Sequence, residues 1–219
     1  RIATTCSLLE LDPDEPLLLM ALAHEGLEAR MVLWRDERED WSRGAPILVR
    51  STWDYPQAPE AFLAWIDGAA RCALYNPADV LAGNGHKRCL LDLAARGIPI
   101  VPTEPVPRGA SPATRAITER RGWARGIVIK PAIGAASYLT RRFDPHELED
   151  ADAHLAAVLA DRDALVQPLM PAVETSGERA LVWIDGEVTH AVRKEPRLAG
   201  GTEHVELCDG PIGHGHVRE

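Results

Sequence analysis

Short β-prone runs alternating with helical segments constrain the front of this chain more than any other feature. Arg1 to Thr5, Ala29 to Leu33 and Ile47 to Val49 read as strands. Between the first two, Asp12-Pro13-Asp14 starts a helix that carries Leu17, Leu18, Met20, Ala21 and Leu22 and stops at Gly26. Strands alternating with helices close as a mainly parallel sheet covered on both faces. Phe62, Trp65, Ile66 and Ala69 then recur at helical spacing as a core-facing stripe, which makes Trp65 a packing residue rather than a ligand contact. Asn76-Pro77 breaks the pattern, so residues 1–76 are expected to form an α/β lobe.

The pattern changes after that break. A helix is expected from Asn84 to Arg96, ended by Gly97 and followed by a strand from Ile98 to Val101. Pro102 to Pro112 reads as a linker, Thr114 to Arg121 as a helix and Gly126 to Lys130 as a strand. Pro145 to Leu159 is amphipathic, with Leu148, Ala151, Leu155 and Val158 on one face, and Leu165-Val166 returns as strand. Arg179 to Ile184 and Glu187 to Arg193 flank Asp185-Gly186, two residue types that tolerate positive φ and so signal a hairpin. These segments make a second region, 77–194, and glycines crowd an irregular tail from 195 to 219.

A chain of 219 residues, 46% of them apolar, can build such cores. Its net charge of −9 lacks the basic stripe a sequence-independent nucleic-acid binder needs, which points to small-molecule partners. The longest apolar run, Pro16 to Ala23, is far shorter than the roughly 20 residues that cross a bilayer, so no membrane partner and a cytoplasmic setting are expected. Cys6, Cys72, Cys89 and Cys208 form no CxxC pair and imply a reducing compartment.

Lys130 closes a β-prone run and precedes Pro131-Ala132-Ile133-Gly134-Ala135-Ala136-Ser137, a loop of small residues whose backbone amides can approach phosphate oxygens closely. No G-x-x-x-x-G-K-[ST] occurs, and Gly83-Asn84-Gly85 lacks the third glycine of a dinucleotide fingerprint. Taken alone, Lys130 reads more readily as an exposed strand-end lysine, since lysines mostly lie at the surface.

The order of further features changes that weighting. Arg50-Ser51-Thr52-Trp53-Asp54-Tyr55, Tyr75-Asn76-Pro77, His86-Lys87, Pro99 to Thr103, Ile129-Lys130-Pro131, Val166 to Leu169, Gly177-Glu178, Asp185-Gly186-Glu187 and His190 to Lys194 together resemble an ATP-grasp carboxylate–amine ligase. The similarity runs over about residues 1–196, to a subgroup with a glutathione-synthetase-like ATP-binding fold that includes a cyclo-ligase closing the ring of D-cycloserine. It implies an α/β protein of ATP-grasp type, with an N-terminal parallel lobe followed by ATP-binding α+β lobes.

The resemblance also assigns roles. Lys87 and Lys130 would reach the nucleotide and its phosphates, and the loop carrying Gly134 and Ser137 would close over them. Gln167 to Leu169 would be the hinge that reads the adenine edge. Glu174 would bind ribose; Glu178 would hold ribose or orient Lys130, or is an ordinary solvated residue. Arg193 and Lys194 would face the γ-phosphate and the carboxylate substrate, and since successive strand side chains oppose each other, Lys194 is the choice. Ser51, Asp54 and Tyr55, beyond the third strand, sit where open α/β sheets bind ligands and are assigned to the acceptor substrate, although Trp53 and Tyr55 equally suit core packing.

The implied partners are ATP and a small carboxylate and amine, and the resemblance admits a homo-oligomer, since many such ligases associate. The cofactors are ATP and Mg²⁺, with the metal ligands expected beyond Glu219, which makes the C-terminal end read as truncated. The alternative is a remnant that binds ATP without catalysis. In the tail, His204, Cys208, His214 and His216 are metal-ligand types at a spacing that matches no standard site.

Overall fold

The computed structural model describes residues 1–5, 12, 14–135 and 137–194. The tail from 195 on, with His204, Cys208, His214 and His216, lies outside the described residues, as do Cys6 and Ala136. Its described residues divide into two compact units: Arg1–Ile98 together with Ala132–Tyr138, and Pro99–Pro131 together with residues 139–194. The first runs past the boundary expected at residue 76.

In the first unit, β1 (Ile2–Thr4), β2 (Met31–Leu33), β3 (Ile47–Ser51) and β4 (Leu74–Tyr75) form a parallel sheet in the order β2-β1-β3-β4. Helix α1 (Glu15–His24) connects β1 to β2, and α2 (Pro59–Ala69) connects β3 to β4. The expected stripe of α2 packs as read: Phe62, Ile66 and Ala69 are buried against Ala3, Val32, Ile47 and Leu74. Burying a side chain such as Ile66 contributes about 1.5–3 kcal/mol. Trp65 is a packing residue, with ring centroids 5.4 Å from Phe62, 5.3 Å from Trp41 and 5.9 Å from Trp34. Helix α1 differs: among its residues only Glu15 is buried, where it accepts a hydrogen bond from Thr4 Oγ1 (3.0 Å), while Leu17 and Met20 are about two-thirds exposed, at 64% and 68%.

The single helix expected over Asn84 to Arg96 is two, α3 (Ala78–Gly85) and α4 (Cys89–Ala95). His86 is extended between them, Lys87 N–H donates to the Ala132 carbonyl (2.8 Å), and Arg88 N–H to His86 Nδ1 (3.0 Å). Those amides are spent outside a helical ladder, and Gly83 and Gly85 weaken the helix before them.

The second unit holds an antiparallel sheet in the order β5-β8-β6-β7, with β5 (Glu104–Val106), β6 (Ile127–Pro131), β7 (Arg141–Phe143) and β8 (Ala164–Pro168). Helices α5 (Thr114–Arg121) and α6 (Leu148–Leu159) seal one face: Ile117, Ala151, Leu155, Val158 and Leu159 pack on Val106, Ile127, Ile129, Phe143, Ala164 and Val166. Helix α7 (Pro171–Ser176) then leads to the hairpin β9 (Glu178–Ile184) and β10 (Glu187–Lys194). Its turn is the expected Asp185-Gly186, at φ of 50° and 87°.

The strand expected at Ile98 to Val101 is not one, and β5 falls inside the stretch read as linker. Pro99 and Pro102 have no N–H to give to a ladder, while Pro105 is tolerated because β5 is the edge of its sheet. Among the described residues, no helix is long and apolar enough to cross a membrane.

Candidate functional site

Alternation along β6 decides which residues the sheet of the second unit offers. Ile127, Ile129 and Pro131 are buried on the helix-covered side; Val128 and Lys130 therefore occupy the other face. Register places Val128 opposite Gln167 and Lys130 opposite Leu165 on β8, so Lys130, Leu165 and Gln167 share that face. Lys130 is half-buried there.

Gln167 is itself 6% exposed, and its Nε2 donates to Thr103 Oγ1 (2.7 Å), which in turn donates to the Val101 carbonyl (2.7 Å). The side chain thus ties the segment before β5 to the sheet. Leu169, the other end of the expected hinge, gives its N–H to the Gly126 carbonyl (2.9 Å). An adenine edge meeting Leu169 would therefore find its carbonyl rather than its amide.

The small-residue loop belongs to the first unit and is anchored by Lys87 twice. Lys87 N–H holds Ala132, and Nζ donates to the Gly134 carbonyl at 2.5 Å. Tyr138 N–H closes the loop on the Ala135 carbonyl (2.9 Å), and Ser137 adopts φ of 65°. A left-handed turn is one ingredient of the backbone concavities that hold anions. Lys87, Gly134 and Ser137, singled out separately in the sequence, thus fall in one place.

Glu174 lies in α7, Glu178 opens β9, and Arg193 and Lys194 close β10; Lys194 is in register with Glu178 and Arg193 with Arg179. The side chains of Glu174, Glu178, Arg193 and Lys194 lie outside the described part of the structure.

The three residues assigned to the acceptor are internal struts. Ser51 is fully buried and its Oγ donates to Asp12 Oδ2 (2.8 Å). Asp54 is buried, accepts from Trp34 Nε1 (2.6 Å) and faces Arg35 Nε at 3.5 Å. Tyr55 packs 5.2 Å from the Phe62 ring, and burial above all, then its neighbour Cys89, pushes its phenol up from the ordinary value. Asp54 borders a cleft, together with Trp34 and Arg35. Trp34-Arg35 went unnoticed in the sequence, where their position just past a parallel strand was the available signal. Thr103 was marked only as the end of the Pro99 to Thr103 motif, without its bond to Gln167.

The model of the D-cycloserine synthetase DcsG N-terminal domain matches residues 2–76. Cycloserine biosynthesis protein DcsG of Streptomyces lavendulae is 34% identical over 213 residues, which is 95% of this chain and 71% of its own. The crystal structure of D-cycloserine synthetase DcsG has a TM-score of 0.86 at 33% identity, across 93% of this chain and 70% of that one. The ATP-grasp ligase PsnB, solved with a phosphomimetic variant of its minimal precursor, Mg and ADP, has a TM-score of 0.53 at 19% identity, across 88% of this chain and 71% of that one, a likeness of fold alone. A shared third of all positions over nearly the whole chain, on a common backbone course, means that the chain belongs to the DcsG family and has the ATP-grasp fold.

Proposed function

We propose that this chain acts as an ATP-dependent carboxylate–amine ligase on a small amino-acid-like substrate. The observation that carries the reading is the sheet face on which Lys130 and Gln167 lie, opposite a face sealed by helices. A half-buried lysine on that face suits phosphate oxygens as a point charge, and the loop tied to Lys87 offers backbone donors. These residues fit a nucleotide.

In this reading a substrate carboxylate oxygen takes the γ-phosphoryl group and ADP leaves; the amine nitrogen then bonds to the acyl carbon, the C–O bond to phosphate breaks, and the amine proton passes to solvent. Such transfer depends on positioning and charge neutralisation rather than on a protein nucleophile. Lys87 and Lys130 bind and orient the nucleotide, and Ser137 and Gly134 supply loop amides. Glu174 and Glu178 are assigned to the ribose, and Lys194, with Arg193 beside it, to the substrate carboxylate. Bound ATP supplies the phosphoryl group and Mg²⁺ shields its charge. Among the described residues, no group of His, Cys, Asp or Glu fits a metal ion, so magnesium is given no ligand here.

Thermal unfolding with and without Mg-ATP tests the proposal. A ligand at a hundredfold excess over Kd stabilises the native state by about 2.7 kcal/mol, roughly 5 to 10 °C for a chain of this size. The expected result is a shift of that order, lost in Lys130→Ala. A cooperatively folded sample with no shift overturns nucleotide binding.

A further inference from the structure

The small-residue loop is held at its start by Lys87, which binds Ala132 and Gly134. Its exit runs through Ser137, Tyr138 and Leu139, where the backbone passes from the first unit into the second. Ser137 and Leu139 adopt φ of 65° and 51°, and neither is glycine. A leucine in the left-handed region persists where its surroundings fix it.

Two contacts fix Leu139. Its side chain packs on the core cluster that includes Phe143, Ala151 and Leu155, and its carbonyl lies 3.0 Å from His154 Nε2. A carbonyl can only accept, so Nε2 carries the hydrogen and donates it. His154 stands on α6 beside the stripe of Ala151, Leu155 and Val158, and its ring lies 5.5 Å from that of Phe143, at 45°. Helix α6 is tied in turn to α5: Thr114 N–H donates to Asp152 Oδ1 (2.6 Å) and Thr114 Oγ1 to the Leu148 carbonyl (3.2 Å). The donor is therefore mounted on a packed helix beside an aromatic neighbour, which holds its acceptor within narrow limits.

The core does not depend on this bond. Ala151, Leu155, Val158 and Leu159 already seal α6 to the sheet, and β7 is in register with β6. What the bond sets is the course of Ser137 to Leu139, and with it the direction of their amides. Backbone donors that are ordered before an anion arrives spare the complex the entropy of ordering them.

We infer that His154 is a positioning residue of the nucleotide site: through the Leu139 carbonyl it presets the backbone at Ser137 to Leu139 for the phosphates. The role rests on the nucleotide reading above; the bond itself does not.

Titration calorimetry of the full chain with Mg-ATP and with AMP, which lacks the β- and γ-phosphates, separates this role from general support of the fold. His154→Leu keeps the packing beside Phe143 and removes the donor. It should bind Mg-ATP about tenfold more weakly, the weight of one hydrogen bond, with AMP affinity unchanged. His154→Gln, which offers an amide N–H donor, should recover most of the loss. Amide hydrogen exchange should quicken at residues 137–140 in His154→Leu, slow again in His154→Gln, and stay unaltered in α6. If His154→Leu does not fold, His154→Asn, too short to reach Leu139, takes its place. Unchanged Mg-ATP affinity in the variant without the donor, an equal loss for AMP, or no recovery with glutamine overturns the positioning role. A parent chain that binds no Mg-ATP overturns the nucleotide reading instead, a result seen before His154 is changed.

Discussion

Gly126 shows how much a single position can carry. It has φ of 107°, and a Cβ there would lie 2.6 Å from the Phe143 carbonyl oxygen, a backbone atom that cannot swing away. Gly126→Ala is expected to cost about 2 kcal/mol or more in urea unfolding, from strain at positive φ and the close contact together. Because the Gly126 carbonyl also receives the Leu169 amide, the same variant should weaken the Mg-ATP response. Glu39 offers a test by pH. Arg30 Nη2 donates to both its oxygens (2.9 and 2.7 Å), and this, with Arg1 at 3.0 Å, holds the carboxyl below its usual range despite an opposing push from burial. A folded pKa below the unfolded one gives stability that is present at neutral pH and lost as pH falls below about 4. Glu39→Gln should therefore lower the unfolding free energy in urea at pH 7, by no more than about 1 kcal/mol since Arg30 is largely exposed, and converge with the parent near pH 3. Lys130 was legible as a residue near the end of a recognisable strand. The role of the Gln167 side chain was not, since its partner Thr103 is 64 positions away and nothing local marks the pair.

Where an element's signals were local and agreed with one another, the sequence was enough to place it. Helix α5 starts and ends where its pattern does, and the turn of β9–β10 follows from two residues that accept positive φ. The helix across Lys87 was misread because its amide is claimed by Ala132, 45 positions further on, a contact that outweighs propensity. The Lys87 side chain then holds Gly134, so Lys87→Met should speed amide hydrogen exchange in residues 133–138 while leaving α6 protected; equal protection in both proteins would mean that the loop stands without this bond. In α6, Leu155 is 1% exposed within the cluster that seals the sheet, and Leu155→Ala is expected to cost about 2–5 kcal/mol in chemical denaturation.

For the molecule as a whole, apolar surface is uneven. Leu17 and Met20 on α1, and Leu181, Trp183, Ile184 and Val188 on the hairpin, are half or more exposed, which is more than scattered surface residues need. The net charge of −9 opposes association but is screened by salt. Sedimentation velocity should therefore show concentration-dependent self-association that grows with ionic strength and falls in a Leu181→Thr, Trp183→Thr double variant; a monomer at every concentration would count against it. The units themselves were only partly legible, since a return of seven residues to an earlier part of the chain leaves no mark in local composition. The backbone passes from one unit to the other after Ile98, after Pro131 and again after Tyr138. A gene cut at residue 98 would strip Lys87 of both its acceptors, at Ala132 and Gly134. Neither unit is thus a portable cassette: recombination that exchanged one of them would have to bring the stitch of 132–138 with it.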